Sequence, residues 1–148
     1  MHQLLLSVHV LAAIIFVGGS AVATSLFPRY APSTATTGPV SERSPAVAAV
    51  LHRITGTYAR LALIVPVVGI ILAALQGRLG EIWITVAIIL TGCAAAIITM
   101  IIHPIQREAM AVPDDGTRLR ALGMLTGLYN MLWLIVVVLM IVRPGAHA

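Results

Sequence analysis

The stretch QLLLSVHVLAAIIFVGGSAVATSLF, residues 3–27, contains no Asp, Glu, Lys or Arg. A helix rises about 1.5 Å per residue, so roughly 20 apolar residues cross the hydrocarbon of a bilayer. This stretch is long enough. It does not alternate with period two, which argues against a barrel strand. Three further runs share its character, and the sequence predicts spans at about 3–27, 46–75, 81–104 and 119–142. Helices satisfy their backbone groups internally, as lipid demands. The expected fold is all-α, a four-helix transmembrane bundle forming one integral membrane domain over residues 1–148.

Composition points the same way. Hydrophobic residues make up 59% of the chain, charged residues 9%, and the mean hydropathy is +1.02. A soluble domain carries about a quarter charged residues. Too little polar surface is available to face water, so the lipid bilayer is the first expected partner. The net charge of +4 comes entirely from arginine. Arginines beside apolar spans match anionic headgroups, and no nucleic-acid partner is expected. Cys93 lies inside an apolar run and reads as a small hydrophobe. The tripeptide AVA at 21–23 resembles a signal cleavage site. No Lys or Arg precedes the run, however, and it is long for a signal, so a retained span is expected.

The connections are well punctuated. PRYAPSTATTGPVSERSP (28–45) is a polar loop ending in Ser44-Pro45, an N-cap followed by a proline at the first helical position. QGRLG (76–80) is a tight turn that makes the second and third helices antiparallel neighbours. VPDDGT (112–117) is another turn, with Asp115 or Thr117 expected to cap the fourth helix. Arg29, Arg43, Arg53, Arg107, Arg118 and Arg120 lie at the first and third loops, against Arg78 and Arg143 at the opposite end. That imbalance predicts both termini on the outer side of the plasma membrane in a multi-pass protein.

Polar residues within the spans are the functional candidates. His9 lies about 10 Å below the end of the first helix. It reads as a hydrogen-bonded packing residue, a haem or metal ligand, or a proton-relay group, since neutral imidazole ligates iron and other transition metals. The small residues of GGSAVATS (18–25) allow close helix packing or room for a flat porphyrin. His103 precedes Pro104, where the third helix is expected to kink or end. His52 lies at a similar depth and forms a weak inner-side pair with His103. Arg60 either snorkels to the interface or holds an anionic group. Pro66 and Gly69 are expected to kink the second helix. Thr126 and Asn130 form a polar stripe on the fourth helix, which Thr99 on the third is placed to face.

Helix arithmetic separates His9 from His103 by roughly 20 Å in height. Two axial ligands of one iron sit about 4 Å apart, so these histidines do not clamp one haem. If His9 binds haem b, Met140 on the fourth helix is the available second ligand. The carboxylates all lie at loops or helix ends, and no CxxC, HExxH or phosphate-binding glycine loop occurs. That pattern disfavours hydrolases and carboxylate-driven pumps.

HVLAAIIFVGGS, HRITGTYARLALIVPVVGI and TGLYNMLWLIVVVLMIVRPG together resemble an uncharacterised family of small four-helix membrane proteins common in actinobacteria. That family is distantly similar to the copper-resistance D (CopD-like) group and to bacterial membrane protoporphyrinogen oxidase. The resemblance implies haem or copper chemistry at a first-helix histidine, here His9. The chain departs from those groups in having no lysine and no dense Met/His cluster. The leading expectation is a haem-associated redox or haem-handling membrane protein, with His9, Met140 and Arg60 at the cofactor. The alternatives are a non-enzymatic subunit of a larger membrane complex, and a solute or lipid transporter acting as a homo-oligomer.

Overall fold

The computed structural model describes residues 2–35 and 43–145. Four helices fill it: α1 (Gln3–Tyr30), α2 (Pro45–Leu75), α3 (Ile82–Ala111) and α4 (Thr117–Val142). They run up and down, so the first and last helices begin and finish at the same end, here called the terminal end. The end carrying the first and third loops is the loop end. Each helix is long and apolar enough to cross a membrane. At about 1.5 Å per residue all four exceed a ~30 Å hydrocarbon core. Large apolar side chains cover the outside, with Met100 and Ile141 about three-quarters exposed. In lipid those side chains have their proper solvent, and the chain is a multi-pass membrane protein.

Several helix limits differ from the sequence expectation, each for a local reason. The third helix passes through Pro104 and continues to Ala111. A π-helical segment, Ile97–Ile102, lies directly before it. The wider turn gives the proline ring room and absorbs its missing N–H. The first helix also carries a π segment, Ala13–Val17, and reaches Tyr30 with Pro28 inside its last turn. The fourth helix is capped otherwise than expected. Gly116, at φ 91°, occupies the N-cap position. Asp114 accepts from the N–H groups of Gly116 and Arg118 at 2.9 and 3.1 Å, and Asp115 accepts from that of Thr117 at 3.1 Å.

Other signals form locally as read, although the two helices that QGRLG joins are close neighbours only toward the loop end. The Ser44 hydroxyl accepts from the Val47 N–H at 3.3 Å, with Pro45 at the first helical position. QGRLG is a Schellman ending. Gly77, at φ 68°, donates to the Ala74 carbonyl, and the Arg78 N–H reaches the Ala73 carbonyl at 2.9 Å. The α2 kink falls at Ala62 and Leu63, between the helical segments Pro45–Leu61 and Ile64–Leu75. Pro66 has no N–H for the Ala62 carbonyl, which accepts instead from Val65 at 3.0 Å.

The loop half of the bundle is closely packed. Phe27, Leu51, Ile102, Leu122 and Tyr129 are buried there, with Ala23, Ala31, Ala48 and Ala94 letting the backbones approach. Hydroxyls tie the same region together. Ser20 Oγ donates to the Val17 carbonyl at 2.9 Å and lies 2.7 Å from the Tyr129 hydroxyl. Since the serine proton is committed, Tyr129 donates to Ser20. The terminal half is different. There α1 packs on α2 and α3 on α4, while α2 and α3 barely meet. The two pairs splay apart, and a cavity fills the gap.

Candidate functional site

The cavity has a volume of about 440 Å³ and runs from the level of His9 and Gly69 toward Gln76 and Arg78 at the terminal end. The seven residue steps from Gly69 to Gln76 span about 10 Å of helix rise. Its walls are mostly apolar, including Leu6, Ile70 and Ile84. Trp83, Trp133 and Met140 also line it. That mixture of an apolar body and a few placed polar groups is the usual make-up of a small-molecule site.

His9 is the deepest titratable group on this wall. Its residue is 6% exposed, and Nδ1 lies 3.0 Å from the Val65 carbonyl oxygen. A carbonyl only accepts, so Nδ1 carries the proton and Nε2 keeps its lone pair. Nε2 has no hydrogen bond among the described residues. The α2 break lies just before this carbonyl, so Pro66 shapes the bond as well as the helix. Gly69 supplies the space. A methyl added there would stand 2.9 Å from His9 Cε1.

The structure brings Met140 to the same cavity as His9 and leaves Arg60 elsewhere. Arg60 is exposed, donates to the Gly56 carbonyl at 3.0 Å and lies toward His103. The arginines at the cavity are Arg78 and Arg143. Their sequence signal was present but indirect: both sit at the end that His9 approaches, where each reads first as an orientation marker. Trp83 and Trp133 give no periodic signal of their own. Gly69 is legible only as a kink, because its role depends on which ring crosses it.

The polar stripe faces another neighbour. Thr126 Oγ1 reaches the Thr24 carbonyl at 3.4 Å and Asn130 Nδ2 reaches Ser25 Oγ at 3.2 Å, both on α1. Thr99 instead bonds back to the Ala95 carbonyl of its own helix at 2.6 Å. Among the described residues Asn130 Oδ1 is buried without a hydrogen-bond partner. His52 and His103 do meet. Their rings stack at 4.1 Å with 14° between planes, and His52 Nδ1 lies 3.2 Å from Gln106 Oε1. Parallel rings aim their in-plane lone pairs alongside one another, so they do not converge on one ion. Among the described residues no group of three or more His, Cys, Asp or Glu is placed to hold a metal. Within this site a single imidazole suits an ion whose other ligands come from elsewhere.

No protein-family model, curated protein or solved structure matches the chain.

Proposed function

We propose that this chain is a haem-binding protein of the plasma membrane, in which His9 Nε2 would hold the iron, with both termini outside. The observation that carries this reading is the state of His9: Nδ1 is tied to a backbone carbonyl, and Nε2 is free on the wall of an apolar cavity. Metal-bound histidines are held in just this way, the far nitrogen fixing tautomer and ring angle. Met140, which also lines the cavity, would offer a soft second donor. Haem b would supply one-electron chemistry. The protein's part is to orient the imidazole, exclude water with the apolar wall and place a cation at the mouth. Six arginines at the first and third loops support the cytoplasmic placement of those loops.

The test is an absorption spectrum of the purified chain, oxidised and then dithionite-reduced, after expression with added haem. A Soret band with sharpened α and β bands on reduction is expected. His9→Ala should abolish it, while Met140→Leu should shift it toward a five-coordinate form. A flat spectrum in the haem-supplemented protein sinks the proposal.

A further inference from the structure

We infer that the cavity takes an amphipathic acid, whose acid group sits at Arg143 and Arg78 and whose apolar body reaches in toward His9. The inference rests on the cavity being a ligand site, as proposed above, but not on haem being that ligand. It uses different residues. Arg78 and Arg143 both line the cavity at its terminal end. The Arg143 guanidinium lies 5.9 Å from the Trp83 ring centroid, and its Nε donates to the Met140 carbonyl at 3.1 Å. The two terminal nitrogens have no hydrogen bond among the described residues. Among the described residues Arg143 is also the non-glycine residue with positive φ, at 47°. A helix end in this conformation normally takes glycine. Here a side chain is kept where glycine would fit without strain, and that side chain lies on the cavity wall.

The charge balance names the ligand's head. Glu81 is the opposing group, with Oε1 at 3.2 Å from Arg78 Nε, and it also accepts from Trp83 Nε1. Among the described residues at this end, Arg78 and Arg143 thus stand beside one carboxylate, already paired to Arg78, which leaves the Arg143 guanidinium for an acid group. Guanidinium groups bind such acids by paired, charge-assisted hydrogen bonds. The rest of the wall offers apolar and aromatic surface. A porphyrin with carboxylate arms and a long-chain fatty acid share this chemistry.

Both tryptophans of the chain line the cavity, so binding is read in tryptophan fluorescence, as quenching by the haemins and as a shift of emission wavelength with oleate and oleyl alcohol. The full-length protein in detergent at pH 8 is titrated with haemin, haemin dimethyl ester, oleate and oleyl alcohol. At least one acid is expected to bind about tenfold more tightly than its neutral counterpart. Arg143→Gly should remove that preference and leave the neutral probe unchanged. The variant puts glycine at a positive-φ position, so its thermal stability should hold or rise. Glu81→Gln should act oppositely and tighten acid binding, because Arg78 loses its competing carboxylate.

The outcomes separate the two proposals. Haemin and its ester binding equally, with no effect of Arg143→Gly, overturns the acid site and leaves the haem reading standing. An Arg143-dependent preference for oleate, with no Soret change on adding haemin, supports the acid site and sinks the haem reading. Loss of neutral probes along with acids in Arg143→Gly makes Arg143 a helix cap and overturns the inference. Failure of all four probes overturns both.

Discussion

His9 owes its position to one donated bond and one absent methyl. Gly69→Ala tests the second. A methyl 2.9 Å from Cε1 is too close, so the ring should shift and its bond to the Val65 carbonyl should weaken. Alanine favours a helix over glycine by about 1 kcal/mol, so the fold should not suffer. Haem affinity, followed by Soret titration, should fall about tenfold or more, since one weakened charge-free hydrogen bond and a misdirected ligand each cost on the order of 1 kcal/mol. Unchanged affinity with unchanged stability would show that the ring's placement is not used. Ser20 tests the packed half instead. Ser20→Ala strands the Tyr129 hydroxyl and should cost about 1–2 kcal/mol of unfolding free energy, measured by steric trapping in micelles. Tyr129→Phe leaves the serine bonded to the Val17 carbonyl and should cost less. The position of His9 was legible in the sequence because it is the titratable residue of an otherwise apolar run. Its partner was not. A backbone carbonyl has no signature of its own, and which helix crosses it depends on tertiary packing.

Along the elements, strong local chemistry was readable and register was not. Ser44-Pro45 and QGRLG behave as written because a cap or a turn is fixed by its own few residues. The π segments of α1 and α3 were hidden, since Ala13–Val17 and Ile97–Ile102 contain no breaker and differ from α-helix only in hydrogen-bond register. Pro66 was readable as a kink, but its effect falls four residues earlier, at the Ala62 carbonyl it leaves unserved. Pro66→Ala restores that donor. The helix should straighten and the protein gain up to about 1 kcal/mol, well short of the ~3 kcal/mol of a soluble helix because the break is already accommodated. Straightening also moves the Val65 carbonyl away from His9, so haem affinity should drop several-fold while stability rises. Both falling together would mean that Pro66 is only structural. The start of α4 gives a pH test. Hydrogen bonds from the Thr117 hydroxyl and N–H hold the Asp115 carboxyl below the ordinary aspartate range. A depressed carboxyl stabilises fully above its unfolded pKa and loses that contribution as pH falls through the lowered value. Amide exchange in the first turn of α4 should therefore quicken relative to the rest of the helix on acidification. Asp115→Asn should remove the acid dependence.

The whole molecule is a bundle closed at one end and parted at the other. At the loop end all four helices share one core, and the first loop is pinned to the third by Thr34 N–H and Ser33 Oγ on the Asp114 carbonyl, at 2.8 and 3.0 Å. At the terminal end two helix pairs diverge around the cavity, with little joining α2 to α3 beyond their turn. Composition and periodicity announced four helices but not this shape, because every outward face is equally apolar and only pairwise packing decides which helices separate. A parted bundle should not open uniformly. Regions with few buried contacts exchange first. In nanodiscs, backbone amides of the terminal halves, around Leu6, Ile70 and Ile88, should exchange at least about tenfold faster than those around Phe27, Leu51 and Leu122. A ligand that fills the cavity joins the two pairs and should slow exchange in the terminal halves alone. If instead both halves exchange alike and ligand slows neither, the pairs are already locked by lipid or by a second chain. The cavity would then be a packing gap and not a site.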